Sequence, residues 1–224
     1  MLKAVEMTLP KHRPMTDIIR GFKFQSQRDD CWSVCIHNVL EELADRLDEP
    51  VFRQSEARLN KAMGYGSGMG ALGIRLDRVR PNVNRLIEAS GYGLVEQAGV
   101  GFDGLVVNIK SEELSYPVAG LSSQYLSDKP RGARLRIEGD LAEAVDHTCI
   151  VLAADSSNVT IFDPLERFSG SGKGSDGIIS LSTPSFLSYW SRASVEREWL
   201  MYAAPLAGLR TRTLLDFAGE NDAT

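Results

Sequence analysis

The sequence predicts an α+β fold: a single domain over residues 1–218, with a helical half over about 22–91 and an antiparallel sheet half over about 92–205. Three observations predict it. Apolar residues recur at helical spacing in the stretch DCWSVCIHNVLEELADRL, residues 30–47. From about residue 92 the pattern changes to short apolar runs bounded by Gly, Pro and Ser, the texture of strands. The runs TCIVLAA and VTIFDP flank the polar turn DSSN, which reads as an antiparallel hairpin.

In the helix at 30–47, Trp32, Cys35, Val39, Leu43 and Leu47 form the apolar face, and Asp29 and Asp30 stand where a cap is needed. A second helix is predicted from about Val51 to Met63, and a third from about Pro81 to Ala89, with Pro at its start and Gly91 as its stop. Strands are predicted at Leu94–Val95, Leu105–Ile109 and Val118–Leu121, then in the hairpin, then over EWLMYAAPL. Between the last two lie a Gly/Ser-rich segment, Ser169 to Gly177, and the capped helix pattern STPSFLSYWSRA. The composition of the tail 219–224 predicts disorder. There is no internal repeat, so the two halves read as one domain with the natural site in a cleft between them.

A chain of 224 residues buries roughly 70% of its unfolded surface on folding and needs no metal or disulfide staple. Its formal charge is −5, with acidic and basic residues interspersed, so no basic face is offered to a nucleic acid. Glu6 and Pro10 interrupt the N-terminal apolar residues before a secretion signal could form, and no run of eighteen apolar residues suggests a membrane span. Three cysteines, an odd number, suit reduced thiols. Together these features predict a soluble cytoplasmic protein with neither a nucleic-acid nor a membrane partner, and they leave the oligomeric state open.

The chemistry is concentrated in four residues. Cys31 begins the first strong helix, where free backbone N–H groups and the positive end of the dipole favour a thiolate. A thiolate nucleophile needs an imidazole to exchange protons with, and the histidines are His12, His37 and His147. His37 lies six residues further along the same helix, about 240° round its axis, and so points away from Cys31. His147 is then the base by elimination. The hairpin returns Asp163 to the same end as His147, although simple pairing about DSSN leaves the two diagonally offset and calls for a bulge, or for His147 just off the strand. Gln25, six residues before Cys31, can return its amide to the Cys31 backbone N–H as a second oxyanion donor.

The run Gln25-Ser-Gln-Arg-Asp-Asp-Cys31-Trp32, the pair Asp146-His147 opening an apolar strand, and Phe162-Asp163-Pro164 together resemble the papain-like cysteine peptidases, most of all the bacteriocin-leader (double-glycine) peptidase branch. PSFLSYW followed by a strand ending in Pro205 is also similar to the end of such domains. The resemblance covers about residues 22–205. It implies a papain-like fold and cleavage of an amide through an acyl-thioester. In that reaction Cys31 is the nucleophile, His147 the base, Asp163 its orienter and Gln25 an oxyanion donor. The implied partner is a peptide or protein substrate, with no cofactor and no metal. Two alternatives use the same residues differently: Gln deamidation or transglutaminase-like acyl transfer at the same triad, and a non-catalytic peptide-binding module.

Other patterns carry less. Cys35 and Cys149 read as core residues, His12 and His37 as solvated ones. Gly68-Met-Gly70-Ala-Leu-Gly73 lacks the βαβ setting of a dinucleotide site, and Gly170-Ser-Gly172-Lys173-Gly174 lacks the hydroxyl of a phosphate loop. A zinc site formed by Cys31, Cys35, His147 and Cys149 fits donor chemistry but leaves Gln25 and Asp163 without a role.

Overall fold

A computed structural model of the protein describes residues 15–24, 31–63, 76–128, 147–165, 176–193 and 197–206. The fold is α+β. Its helices are α1 (Met15–Ile19), α2 (Cys31–Leu47), α3 (Glu56–Met63), α4 (Leu76–Ile87), α5 (Gly101–Lys110), α6 (Ser123–Asp128) and α7 (Thr183–Trp190). Its strands are β1 (Tyr92–Gln97), β2 (Val118–Leu121), β3 (His147–Ala154), β4 (Asn158–Phe162), β5 (Ile178–Ser182) and β6 (Leu200–Pro205). The strands form one antiparallel sheet in the order β1-β6-β2-β3-β4-β5.

The sheet is apolar on both faces because its strands alternate between two buried clusters. Val118, Ile150, Leu152, Phe162, Met201 and Ala203 point to one face, where they meet Cys35, Val39 and Leu43 of α2, Leu59 of α3 and Val83 of α4. Ala119, Leu121, Cys149, Val151, Ile161 and Leu200 point to the other, against Leu105 of α5, Tyr125 of α6, and Phe186 and Trp190 of α7. The result is a helix, sheet, helix arrangement of three layers. The second half is therefore not sheet alone: three of its segments are helices that cover the far face.

Cys31–Leu47 and β6 fall where the sequence predicts them, and β1 and β2 occupy two of the three predicted early strands. Leu105–Ile109, predicted as a strand, is instead part of α5. Its burial follows a helical period: Leu105 and Asn108 are buried while Val107 is exposed, and the Asn108 amide donates to the Gly104 carbonyl four residues back. The predicted helix Val51–Met63 is divided. Pro50–Phe52 makes a single 3-10 turn, and Ser55 starts α3 afresh, its carbonyl accepting from Leu59 N–H and its hydroxyl from Arg58 N–H. Pro81 lies inside α4 rather than at its start. It sits on the exposed side of the helix. The predicted tail at 219–224 and most of the Gly/Ser segment lie outside the described residues.

The hairpin fixes the site. Asp155 Oδ1 accepts from the backbone N–H groups of Ser157 (2.7 Å) and Asn158 (2.9 Å), closing the turn. Register then shifts between Val151 and Ala153: Ala153 pairs Thr160, but Val151 pairs Ile161 and Ile150 pairs Phe162. One step further, Asp163 stands opposite Cys149, diagonal to His147. Without this bulge Asp163 would stand opposite Ile150 and face α2, because a one-residue slip exchanges the faces of a strand.

Candidate active site

His147 opens β3 and Asp163 follows β4, and the bulge turns both toward the α6 layer. Their side chains are buried, and His147 Nε2 lies 2.7 Å from Asp163 Oδ1. The carboxylate is held from several directions. Oδ1 also accepts from the Leu165 backbone N–H at 2.8 Å, and Oδ2 accepts from the Tyr125 hydroxyl at 2.7 Å. The Asp163 N–H donates to the Gly177 carbonyl at 2.8 Å. Gly177 adopts φ +78°, and a Cβ there would lie 2.5 Å from the Phe162 ring, so only glycine brings this carbonyl to Asp163 unstrained.

The Tyr125 ring lies parallel to the imidazole, with centroids 5.9 Å apart and planes 10° apart. Cys149, on the same face of β3, is also at the imidazole: donor atoms of His147, Cys149 and Asp163 all lie within 4.8 Å of one another. Burial works against a charge on His147, but the Asp163 carboxylate and the Cys149 sulfur outweigh it, raising the imidazole well above its ordinary range. The carboxylate beside Nε2 thus favours the charged form of the imidazole.

This has a measurable consequence for stability. A histidine whose folded pKa is raised stabilises the fold fully below its unfolded value, about 6.5, and this contribution is lost as pH rises through the folded value. The Tm advantage of wild type over Asp163→Asn is expected to be largest near pH 6 and to shrink steadily toward pH 9. A difference that widens across that interval contradicts a charged pair.

Cys31 is the first residue of α2 and is buried in the layer on the other face of the sheet. Its helix start is anchored at the His147 end of β3. One turn along, Cys35 Sγ donates to the Thr148 carbonyl, next in sequence to His147. The segment leading to Gln25 is tied down as well. Asn38 of α2 accepts from Lys23 N–H (2.8 Å) and donates to the Lys23 carbonyl (2.9 Å). The rings of Phe22 and Phe24 pack on Phe162 at 5.1 and 5.3 Å. Trp32 sets its edge against Trp199 at 4.8 Å. The start of α2 and the His147–Asp163 pair therefore share one end of the sheet, on its two faces. Among the described residues no hydrogen bond joins Cys31 to His147. Gln25 lies outside the described residues, as does His12.

The four-residue zinc reading does not hold. Cys35 faces α2's own layer and Cys149 the opposite one, so the sheet divides the two pairs. The smaller set His147, Cys149 and Asp163 has suitable donor types. However, two donors about 2.0 to 2.3 Å from a tetrahedral zinc sit more than about 3 Å apart. At 2.7 Å, Nε2 and Oδ1 share a proton, and Asp163 already serves Tyr125 and Leu165.

His37, predicted to be solvated, is buried, and its Nδ1 has no partner among the described residues. Burial and the nearby Lys23 lower its pKa. It borders a polar cavity of about 350 Å3, with Lys23, Glu41, Arg53 and Gln54, which includes neither Cys31 nor His147. Cys35 and Cys149 are buried as predicted. The sequence reading missed Tyr125 altogether. The i, i+2 spacing that puts His147 and Cys149 on one strand face enters the sequence analysis only through the zinc alternative, with Cys149 otherwise read as core.

Neither the known protein-family models nor the curated proteins give a match to this chain.

Proposed function

We propose that this protein is a papain-like thiol hydrolase that cleaves a peptide or isopeptide bond through an acyl-thioester on Cys31. The observation that carries the reading is the buried His147–Asp163 pair, 2.7 Å apart, at the end of the sheet where α2 begins. A buried imidazole paired with a carboxylate has few structural uses that an apolar pair would not serve as well, and a cysteine nucleophile needs such a pair within reach. In the reaction the Cys31 thiolate adds to the carbonyl carbon. The developing oxyanion is met by the Cys31 backbone N–H and the Gln25 amide. The imidazolium of His147 gives its proton to the leaving amine as the C–N bond breaks. Neutral His147 then takes a proton from water, which releases the acid and frees the thiolate. Because Nε2 is engaged by Asp163, Nδ1 is the nitrogen that serves Cys31. Cys31 and His147 start from opposite faces of the sheet with no hydrogen bond between them among the described residues, so the reading requires Nδ1 to reach Cys31 at the end of the sheet once substrate is bound.

One competing assignment rests on a specific contact: Cys149, not Cys31, is the thiol beside His147. Cys149 lacks the helix start that favours a thiolate, and it sits fully buried between β3 and the α5–α7 layer. A peptide-based electrophile followed by peptide mapping separates the two. Adduct formation is expected at Cys31 and to be lost in His147→Ala. An adduct at Cys149, or equal labelling of all three thiols in the folded protein, contradicts the assignment.

A further inference from the structure

Among the described residues, the titratable or charged groups that face the His147 imidazole are Asp163 beyond β4, Cys149 on β3 and Tyr125 on α6. Tyr125 touches the pair in two ways at once. Its ring lies parallel to the imidazole with centroids 5.9 Å apart, and its hydroxyl donates to the carboxylate oxygen that His147 does not use. It is itself buried and braced from behind. Its ring meets Tyr189 edge-on at 5.6 Å, and the Tyr189 hydroxyl donates to Asp128 at the end of the same helix, 3.0 Å. The Ser122 N–H, just before α6, donates to the Tyr189 carbonyl at 3.0 Å. A six-residue helix is thereby fixed against α7 with one side chain aimed at the pair.

We propose that Tyr125 is a positioning residue that acts on His147 through Asp163, fixing the carboxylate plane and limiting how tightly it holds the imidazole proton. This inference rests on His147 being the base of the proposed hydrolysis. The Leu165 N–H and the imidazole both meet Oδ1, so the carboxylate could still turn about that atom if Oδ2 were free. The Tyr125 hydroxyl holds Oδ2 and opposes that rotation. It also draws charge from the carboxylate, since a donated hydrogen bond stabilises the ionised form. With that donor gone, the carboxylate pulls harder on the imidazolium. His147 then gives its proton less readily to the leaving amine and recovers as a base only at higher pH. Packing alone would place an apolar ring here equally well. The hydroxyl is what the proposal makes decisive.

The test is Tyr125→Phe, which keeps the ring and removes only the donor. The His147 titration, followed by imidazole NMR, is expected to move to higher pH, and kcat for a Cys31-dependent substrate to fall about 10-fold at neutral pH with KM little changed. In an Asp163→Asn background the same substitution is expected to leave the titration where it was, because its effect passes through the carboxylate. 3-Fluorotyrosine at position 125, a stronger donor of nearly the same shape, is expected to move the titration the opposite way. It keeps the proposal testable if Tyr125→Phe does not fold. A His147 titration unmoved by either change, or moved equally in the Asp163→Asn background, overturns the proposal whatever the activity. Conversely, a shift that appears while no Cys31-dependent hydrolysis is found upholds the role of Tyr125 and removes the hydrolase reading instead.

Discussion

His147→Ala is expected to lower kcat/KM by about 1000-fold or more, since it removes both the general acid for the leaving amine and the general base for water. Asp163→Asn is expected to lose less. The asparagine carbonyl oxygen can take the place of Oδ1 and accept from Nε2, but it carries no charge to hold the imidazolium. The order of the two effects is the informative part. Equal losses would mean that Asp163 does more than orient His147, and a fully active His147→Ala would remove His147 from the chemistry. Circular dichroism and Tm on both variants separate lost chemistry from lost fold, because Asp163 is buried among partners that Asn satisfies only in part.

Phe162→Ala is expected to destabilise the protein by about 3 to 5 kcal/mol, the usual cost of removing a fully buried aromatic ring. Phe162 joins the two parts of the site. Its ring receives the edge of Phe22 and the tilted ring of Phe24 ahead of Cys31, lies under Gly177, and precedes Asp163 in the chain. The loss appears as a lower urea midpoint at an unchanged m-value. Phe162→Leu, which keeps most of the volume, is expected to lose much less. If Phe162→Ala costs under about 1 kcal/mol, the ring is not the anchor between the Phe22–Phe24 segment and the hairpin.

The central elements of the site could be read from residues because each is encoded locally. The helix beginning at Cys31 shows in the spacing of Trp32, Cys35, Val39 and Leu43. The hairpin shows in DSSN between two β-rich runs, and the offset between His147 and Asp163 requires the bulge found between Val151 and Ala153. What could not be read locally depends on tertiary packing. GLVVNIK has the β-branched content of a strand, and only the layer that buries Leu105 and Asn108 makes it α5. Strand β5 is hard to read from residues because it is a five-residue, partly exposed edge strand that follows directly on the Gly/Ser-rich segment. Tyr125 lies in SQYLSD, where nothing marks it as a partner of Asp163 thirty-eight residues later. That pairing exists only because α6 packs across the start of β3.

The central claim is Cys31-dependent hydrolysis of a main-chain or isopeptide amide, and products of wild type and Cys31→Ala acting on a complex peptide pool, read by mass spectrometry, test it most directly. In a peptidase the acyl-thioester keeps the upstream fragment while the downstream amine departs, so new termini are expected with wild type and not with Cys31→Ala. Intact peptides carrying Gln-to-Glu conversions would contradict the account in favour of deamidation at the same triad, and identical product lists from the two proteins would contradict it in favour of a peptide-binding module.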